Sequence, residues 1–296
     1  GKKKLRLILA DQKLFGLTPK DVDLLTNCRE CALGNPKRNA HKSDGEKEIF
    51  SFGSHIASDN TAEQKIKSIG GKRVLNVIID AWSNWTWTYP MASKKESVAR
   101  LRFIIMQVLK GVTQVVRTDQ GGEYLNNEMG KLMADAGCDH NTSASGVSKQ
   151  NGKAEKCIGD VIGMTRVNLV QVDRFDLWAE CSNYMTFIKN RLPCYSNPDM
   201  KSPYEMRYGR KPNYKRFHRF GCKATAMFPK KKAPNGKMGY QSVEGIFVGY
   251  DDPEGTKREM LKGDTWKFYA THLEQEQRLQ AQFERARRKQ VAAVSA

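Results

Sequence analysis

The chain has 296 residues, enough for a sizeable core and about two domains. Fifty Lys and Arg against 32 Asp and Glu leave a formal net charge of +18, which points to a polyanionic partner, most simply nucleic acid. The absence of any apolar run of about 18 residues argues against a membrane span, no signal peptide is visible after Gly1-Lys2-Lys3-Lys4, and seven cysteines without framework spacing indicate a reducing compartment.

Residues 1–51 read as an irregular basic head. Within it, Leu17 to Leu25 form a short helix with Thr18 as N-cap and Pro19 at its first position. Cys28-Arg29-Glu30-Cys31 has the C-x-x-C spacing of half a zinc site, or is a relict free pair. Residues 35–48 have linker composition. From Ile49 a core begins, with a first strand that includes His55-Ile56-Ala57-Ser58-Asp59. Val74 to Asp80 is a second, buried strand, and Ala81 to Pro90 is a turn and third strand with alternating aromatics. Its tryptophans suit packed sheet faces better than base-stacking platforms.

Ser93 to Lys110 has helical period, with Val98, Leu101, Ile104, Ile105 and Val108 on one face. Val115-Val116 then starts a strand that ends in a tight turn, Asp119-Gln120-Gly121-Gly122, so Asp119 falls at the strand's C-terminal edge. Asn126 to Ala136 is a helix ended by Gly137, and Cys138 to Thr142 is a short strand in which His140 is packed or hydrogen-bonded. Gly146 to Gly152 reads as a mobile loop, because glycine and small polar residues bury little. A helix follows from Ala154, weakened by Gly159 and Gly163. Asp176 to Pro193 forms a long amphipathic helix. From Phe217 the pattern changes to short strands, 220–227, 244–250 and 265–269, consistent with a small antiparallel barrel. Lys230, Lys231, Lys232 and Lys237 put a basic loop on it, suited to phosphate contacts or simply to solvent. The tail from Glu274 to Arg288 has a charged helical pattern, and its Arg285, Arg287, Arg288 and Lys289 cluster has the composition of a nuclear-import signal.

Asp59, Asp119 and Glu155 would converge from two strand ends and a helix, with thirty-five residues between the last two. Three carboxylates make a hard, oxygen-only site that suits Mg²⁺ or Mn²⁺ rather than zinc. Two such ions roughly 3.5–4 Å apart serve phosphodiester chemistry. Asp80 competes with Asp59, because it too ends a strand.

These residues carry a resemblance. Thr118-Asp119-Gln120-Gly121-Gly122-Glu123-Tyr124 is similar to S/T-D-N-G-G-E-Y, and Gln150-Asn151-Gly152-Lys153-Ala154-Glu155-Lys156 to Q-N-G-V-A-E-R, in the integrases of copia-type LTR retrotransposons. More broadly the chain resembles retroviral integrases and DDE transposases. The likeness runs from about Cys28 to His272 and takes in Asp176-Leu177-Trp178-Ala179-Glu180, Ser202-Pro203-Tyr204-Glu205 and Phe220-Gly221-Cys222-Lys223-Ala224.

The resemblance implies an α/β RNase H-like core, a mixed five-stranded sheet flanked by helices, over residues 49–212. It implies an SH3-like small β-barrel over 213–273 and a truncated zinc-domain remnant with linker over 1–48, and the charge pattern beyond the likeness adds a basic helical tail over 274–296. In that remnant Cys28 and Cys31 would be a partial Zn site, because the histidine pair that completes it in the family is missing. Asp59 takes the first catalytic place, while Asp80 matches an aspartate near the family's site that is not a ligand. Asp59, Asp119 and Glu155 would thus be the catalytic residues and hold two Mg or Mn ions. DNA contacts would come from Gln150, Asn151, Lys153, Lys156, Lys230, Lys231 and Lys232.

The implied activity is metal-dependent 3′-end processing and strand transfer of element cDNA into target DNA. The partners would be double-stranded DNA and further copies of the chain, without a membrane, and the place of action the nucleus after assembly in the cytoplasm. After Glu155 the chain departs from the family's R-K-N-R-T, with Cys157-Ile158-Gly159-Asp160 following Lys156. That departure and the missing histidines support an alternative, a catalytically decayed or domesticated DNA-binding remnant.

Overall fold

In the computed structural model the described residues are 2–11, 16–18, 20–24, 51–142, 152–227, 238, 241–250 and 266–270. The chain divides into two compact units, Gly1–Phe217 and His218–Ala296.

The first unit is built on a five-stranded sheet of order β3-β2-β1-β4-β5. Its strands are β1 (His55–Asn60), β2 (Val74–Asp80), β3 (Thr86–Met91), β4 (Val115–Thr118) and β5 (Asp139–Thr142). β1, β2 and β3 form an antiparallel meander in which Ala57 faces Ile79 and Ile78 faces Trp87. β4 adds to the other side of β1 in parallel, Ala57 facing Arg117, and β5 continues in parallel, Val116 facing His140. This mixed, helix-flanked sheet is the architecture expected of an RNase H-like core. Every residue of β2 is buried, as its near-continuous apolar run requires of a strand covered on both faces.

The long helix Gly152–Val172 packs on β1 and β2 and on the helix Trp178–Arg191. Its buried residues Ala154, Cys157, Val161, Thr165 and Leu169 recur at three- and four-residue intervals, the stripe that a helix on a sheet must hide. It runs unbroken through Gly159 and Gly163, because tertiary packing outweighs their poor propensity. The other sheet face is covered by Ile104, Ile105, Leu101, Leu132 and Met129, with Trp85 and Trp87 in the same cluster. Both tryptophans are buried core groups, and the Arg207 guanidinium stands 4.5 Å from the Trp85 ring.

The helix expected over Ser93–Lys110 is composite. A 3₁₀ turn, Lys94–Glu96, leads into an α-helix, Ser97–Phe103, and then a π turn, Ile104–Val108. Adjacent Ile104 and Ile105 are both fully buried, and the widened turn lets both reach the core together with Leu109. Leu109 N–H donates to the Ile104 carbonyl at 2.8 Å, closing that wide turn. The helix Asn127–Ala136 has the caps its sequence foretold: Asn126 accepts the Met129 N–H at 2.9 Å, and Gly137 takes the left-handed conformation with φ of 62°.

The basic head contains a regular helix, Lys2–Asp11, where an irregular segment was expected. Its Ile8 and Leu9 bury against Val22 and Tyr214, with Leu192 and Phe217 beside them, so a contact some two hundred positions away decides its structure. Between Leu17 and Leu25 the described residues form a 3₁₀ turn, Asp21–Leu24, in which Thr18 donates from N and Oγ1 to Asp21 Oδ2.

In the second unit, Lys223–Met227, Ser242–Tyr250 and Trp266–Ala270 form an antiparallel three-stranded sheet with a bulge between Phe247 and Gly249. Phe220, Phe247, Val248 and Tyr250 are buried there. Closure into an SH3-like barrel, the basic loop 230–232 and the helical tail lie outside the described residues, as do Cys28 and Cys31. Among the described residues no helix is long and apolar enough to cross a membrane.

Candidate functional site

β1 and β4 run in the same direction, so their C-terminal ends reach the same sheet edge. Asp59 and Asp119, the residue after β4, both lie two residues beyond Ala57 and Arg117, the last pair of the parallel β1–β4 ladder. Glu155 comes to this edge from the first turn of the helix Gly152–Val172.

Asp59 is half-buried, and its Oδ1 accepts the N–H of Asn60 at 2.7 Å. Burial pushes its pKa up to about 6 against the pull of that N–H, and the negative charges of Asp119 and Glu155 add to the rise. The charge of Lys94 opposes it. Asp119 Oδ1 accepts the Gly121 N–H at 3.1 Å, and Glu155 is exposed. Each of the three therefore stands within the field of a like charge.

The floor of the site is a buried polar network. Ser58 Oγ lies 2.9 Å from the Tyr124 hydroxyl, and the Asn76 amide nitrogen lies 3.0 Å from Ser58 Oγ, 3.1 Å from the Tyr124 hydroxyl and 3.0 Å from Asn60 Oδ1. Burial drives the Tyr124 pKa far up, so the phenol stays protonated and serves as a fixed polar wedge beneath Asp59. Asn76 Oδ1 has no hydrogen-bond partner among the described residues.

Above this floor sits a fourth carboxylate that the motif reading left without a role. Glu123 Oε1 accepts Asn60 Nδ2 at 3.1 Å and pairs with Lys94 Nζ at 3.3 Å. Burial works against its charge, but its own backbone N–H, Asn60 and Lys94 outweigh that and hold its carboxyl below the usual range. A Cβ on Gly121 would stand 2.7 Å from Glu123 Oε2 and 3.1 Å from Asp119 Oδ1, which explains a glycine at this turn without any need for positive φ.

Asp80 has a different task. Its Oδ1 accepts the Gly53 N–H at 2.8 Å, and its Oδ2 accepts Ser83 N–H at 2.7 Å and Ser83 Oγ–H at 2.6 Å. That fully buried carboxylate, its pKa raised by burial, organises the β2–β3 turn. His140 Nε2 stands 2.9 Å from Thr118 Oγ1, and burial lowers its pKa, so the ring is a neutral packing partner for β4.

Of the residues expected to touch DNA, Lys153 donates its ammonium to the Ala81 carbonyl and thereby ties the start of the long helix to the β2–β3 turn. Lys156 is exposed one position beyond Glu155. Gln150, Asn151, Lys230, Lys231 and Lys232 lie outside the described residues.

The donor set offered to an ion is all carboxylate oxygen, which suits a hard divalent cation, and such a cation would offset both the burial of the Asp59 charge and the lesser repulsion from Asp119 and Glu155. Among the described residues no three His, Cys, Asp or Glu side chains lie close enough to enclose an ion as they stand. Asp59 and Asp119 each turn one oxygen to a nearby backbone N–H, and those contacts are what an ion would have to displace.

Residues 52–148 match the integrase core domain family. The chain is 23% identical over 232 residues to the retrovirus-related Pol polyprotein from transposon TNT 1-94 of Nicotiana tabacum, covering 77% of this chain and 17% of that polyprotein. It is 27% identical over 195 residues to the Pol polyprotein from transposon RE2 of Arabidopsis thaliana, covering 62% of this chain and 13% of the relative. The chain thus spans less than a fifth of either polyprotein. Among solved structures, the HTLV-2 integrase catalytic core domain in complex with magnesium, trimeric form, is similar with a TM-score of 0.43 and 16% identity, over 54% of this chain and 99% of that one.

Proposed function

We propose that this chain is a retrotransposon integrase, a DDE-type polynucleotidyl transferase. It would process the 3′ ends of element cDNA and transfer them into target DNA. The observation that carries this reading is the placing of Asp59 and Asp119, both within the segment that matches the integrase core domain, at the ends of neighbouring parallel strands, with the charge of Glu155 also reaching Asp59.

Asp59 and Asp119 would hold one Mg²⁺ or Mn²⁺, and Asp59 with Glu155 a second. Such ions, when bound, lower the pKa of the attacking water or hydroxyl and stabilise the departing 3′-oxygen. The chain's own part is to fix the carboxylates: β1 and β4 set the two aspartates at one edge, the Ser58–Asn76–Tyr124 floor holds β1, and Lys153 anchors the helix that carries Glu155. The formal charge of +18 supplies the attraction for DNA.

Two cDNA ends call for more than one copy of the chain, and chromosomal target DNA calls for action in the nucleus. On the same reading, residues 49–212 are the catalytic core and 213–273 an SH3-like DNA-binding module. Residues 1–48 are the remnant of a zinc domain around Cys28 and Cys31.

A DNA-binding remnant without catalysis is the second reading. It is favoured by the face after Glu155, where Gly159 presents open space and Asp160 is exposed in place of cations. The deciding experiment is strand transfer of a labelled duplex end into plasmid DNA with Mg²⁺ or Mn²⁺, compared with Asp119→Asn and with chelated metal. Joined product lost in both controls supports the integrase. Salt-sensitive binding without nicking or joining sinks it in favour of the remnant.

A further inference from the structure

The acidic site carries a cation that no sequence motif announced. Lys94 opens the 3₁₀ turn Lys94–Glu96, and that turn is pinned from both sides. Glu96 Oε1 accepts the Ser93 N–H at 3.4 Å in a capping box and also the Ala92 N–H at 2.7 Å. Ser97 Oγ–H donates to the Lys94 carbonyl at 2.6 Å and also stands 3.1 Å from Asn60 Oδ1. The backbone of Lys94 is thus tied to the residue that follows Asp59.

Its side chain is held as well. Glu123 Oε1 is shared between Lys94 Nζ and the Asn60 amide, and Glu123 belongs to the turn that begins at Asp119. The Glu123 side chain is 12% exposed and the Lys94 side chain 43%, so the carboxylate is the buried anchor and the ammonium its solvent-facing end. Exposed ion pairs of this kind stabilise a fold little. A cation fixed at the mouth of an acidic site does more for a polyanionic substrate, because it offsets repulsion between carboxylates and phosphates.

We propose that Lys94, oriented by Glu123, is a substrate-binding residue that holds a backbone phosphate of the DNA strand being cut or joined. This rests on the reading of Asp59, Asp119 and Glu155 as a phosphodiester centre. Lys94 would act as a point charge, with Glu123 engaging one of its N–H donors and leaving others for phosphate oxygens. The charge of Lys94 already reaches Asp59, consistent with its place at the site.

The test uses the full chain and a labelled blunt duplex. Fluorescence anisotropy in EDTA against NaCl concentration gives affinity and salt slope without turnover, and joining in Mn²⁺ gives KM and kcat. Lys94→Met is expected to weaken binding about 5–10-fold near 0.1 M salt, to lower the salt slope by about 0.9, and to raise KM more than it lowers kcat. Lys94→Arg should restore most of the affinity. Glu123→Gln should cause a smaller loss, and the double variant no more than Lys94→Met alone, because both act through one contact.

An unchanged slope and KM in Lys94→Met overturns the proposal, as does loss of joining with intact affinity, which would make the pair a structural brace. A Lys94-dependent slope in a chain that never joins DNA would support the phosphate contact while removing the integrase reading.

Discussion

Asp59 and Asp119, sixty positions apart in the chain, both lie two residues beyond Ala57 and Arg117, the last pair of the parallel β1–β4 ladder, and so reach the same edge of the sheet. Neither turns its carboxylate fully to the other, since each spends one oxygen on a neighbouring backbone N–H. The negative charge of Asp119 nevertheless adds to the rise in the Asp59 pKa that burial begins.

Proton binding to Asp59 sets one expectation. Its folded pKa, about 6, lies above the ordinary aspartate value of 3.8, so between roughly pH 4 and pH 6 Asp59 binds more protons in the folded chain than in the unfolded one. The contribution of Asp59 to stability without metal should therefore fall as pH rises through that window and level off above it. Asp59→Asn should melt higher than wild type at pH 7 in EDTA and lose that advantage near pH 4. Added Mn²⁺ should raise the wild-type melting temperature at pH 7 and do so weakly at pH 5, where the proton competes. A stability difference between Asp59→Asn and wild type that stays constant from pH 4 to pH 7 would contradict the assignment.

The long helix tolerates Gly159 at a cost that can be recovered. An added Cβ there meets nothing within 4 Å. Gly159→Ala should stabilise the chain by about 0.5–1 kcal/mol, read as a shift of the urea midpoint without change of slope.

Gly121 has no such freedom. A methyl group there must move Glu123, Asp119 or both. Gly121→Ala should reduce DNA joining by on the order of 10²-fold, the usual effect of misplacing catalytic groups by about 1 Å. Its thermal melt should stay near that of wild type, and equal loss of fold and activity would count against a role at the site.

Asp80 and Asp119 should part company under mutation. Asp80→Ala leaves the buried Gly53 and Ser83 donors without their acceptor and should cost about 2–4 kcal/mol in chemical denaturation. Asp119→Asn should leave the denaturation curve nearly unchanged and abolish joining. A stable Asp80→Ala chain would show that the turn does not depend on this carboxylate.

What could be read from the sequence was local. The apolar run Val115-Val116 stopping at Asp119 and two glycines has one sensible folding, and Asn126 with Gly137 brackets its helix as caps do. The π turn escaped notice because Ile104 and Ile105 fit a helical stripe well enough that only simultaneous burial reveals the wider turn. The N-terminal helix was lost among lysines, since its partners Tyr214 and Phe217 come from the far end of the first unit. Asp80 ends a strand as Asp59 does, and the family pattern sets it apart as a non-ligand, but the three donors that occupy its carboxylate come from Gly53 and Ser83 and are not legible in the sequence. The Asn60–Glu123 bond joins positions 63 apart, and no periodicity encodes such a pair.

The parallel seam between β1 and β4 also orders events during synthesis. β1, β2 and β3 form a meander of near neighbours, whereas β1 meets β4 only after some sixty further residues have emerged. Until then the inner edge of β1 is an open template for stray strands, and the acidic pair does not exist. A nascent chain therefore lacks the paired aspartates of the proposed site, and hydrogen-exchange labelling during refolding should protect the β1–β2 amides before those of β4.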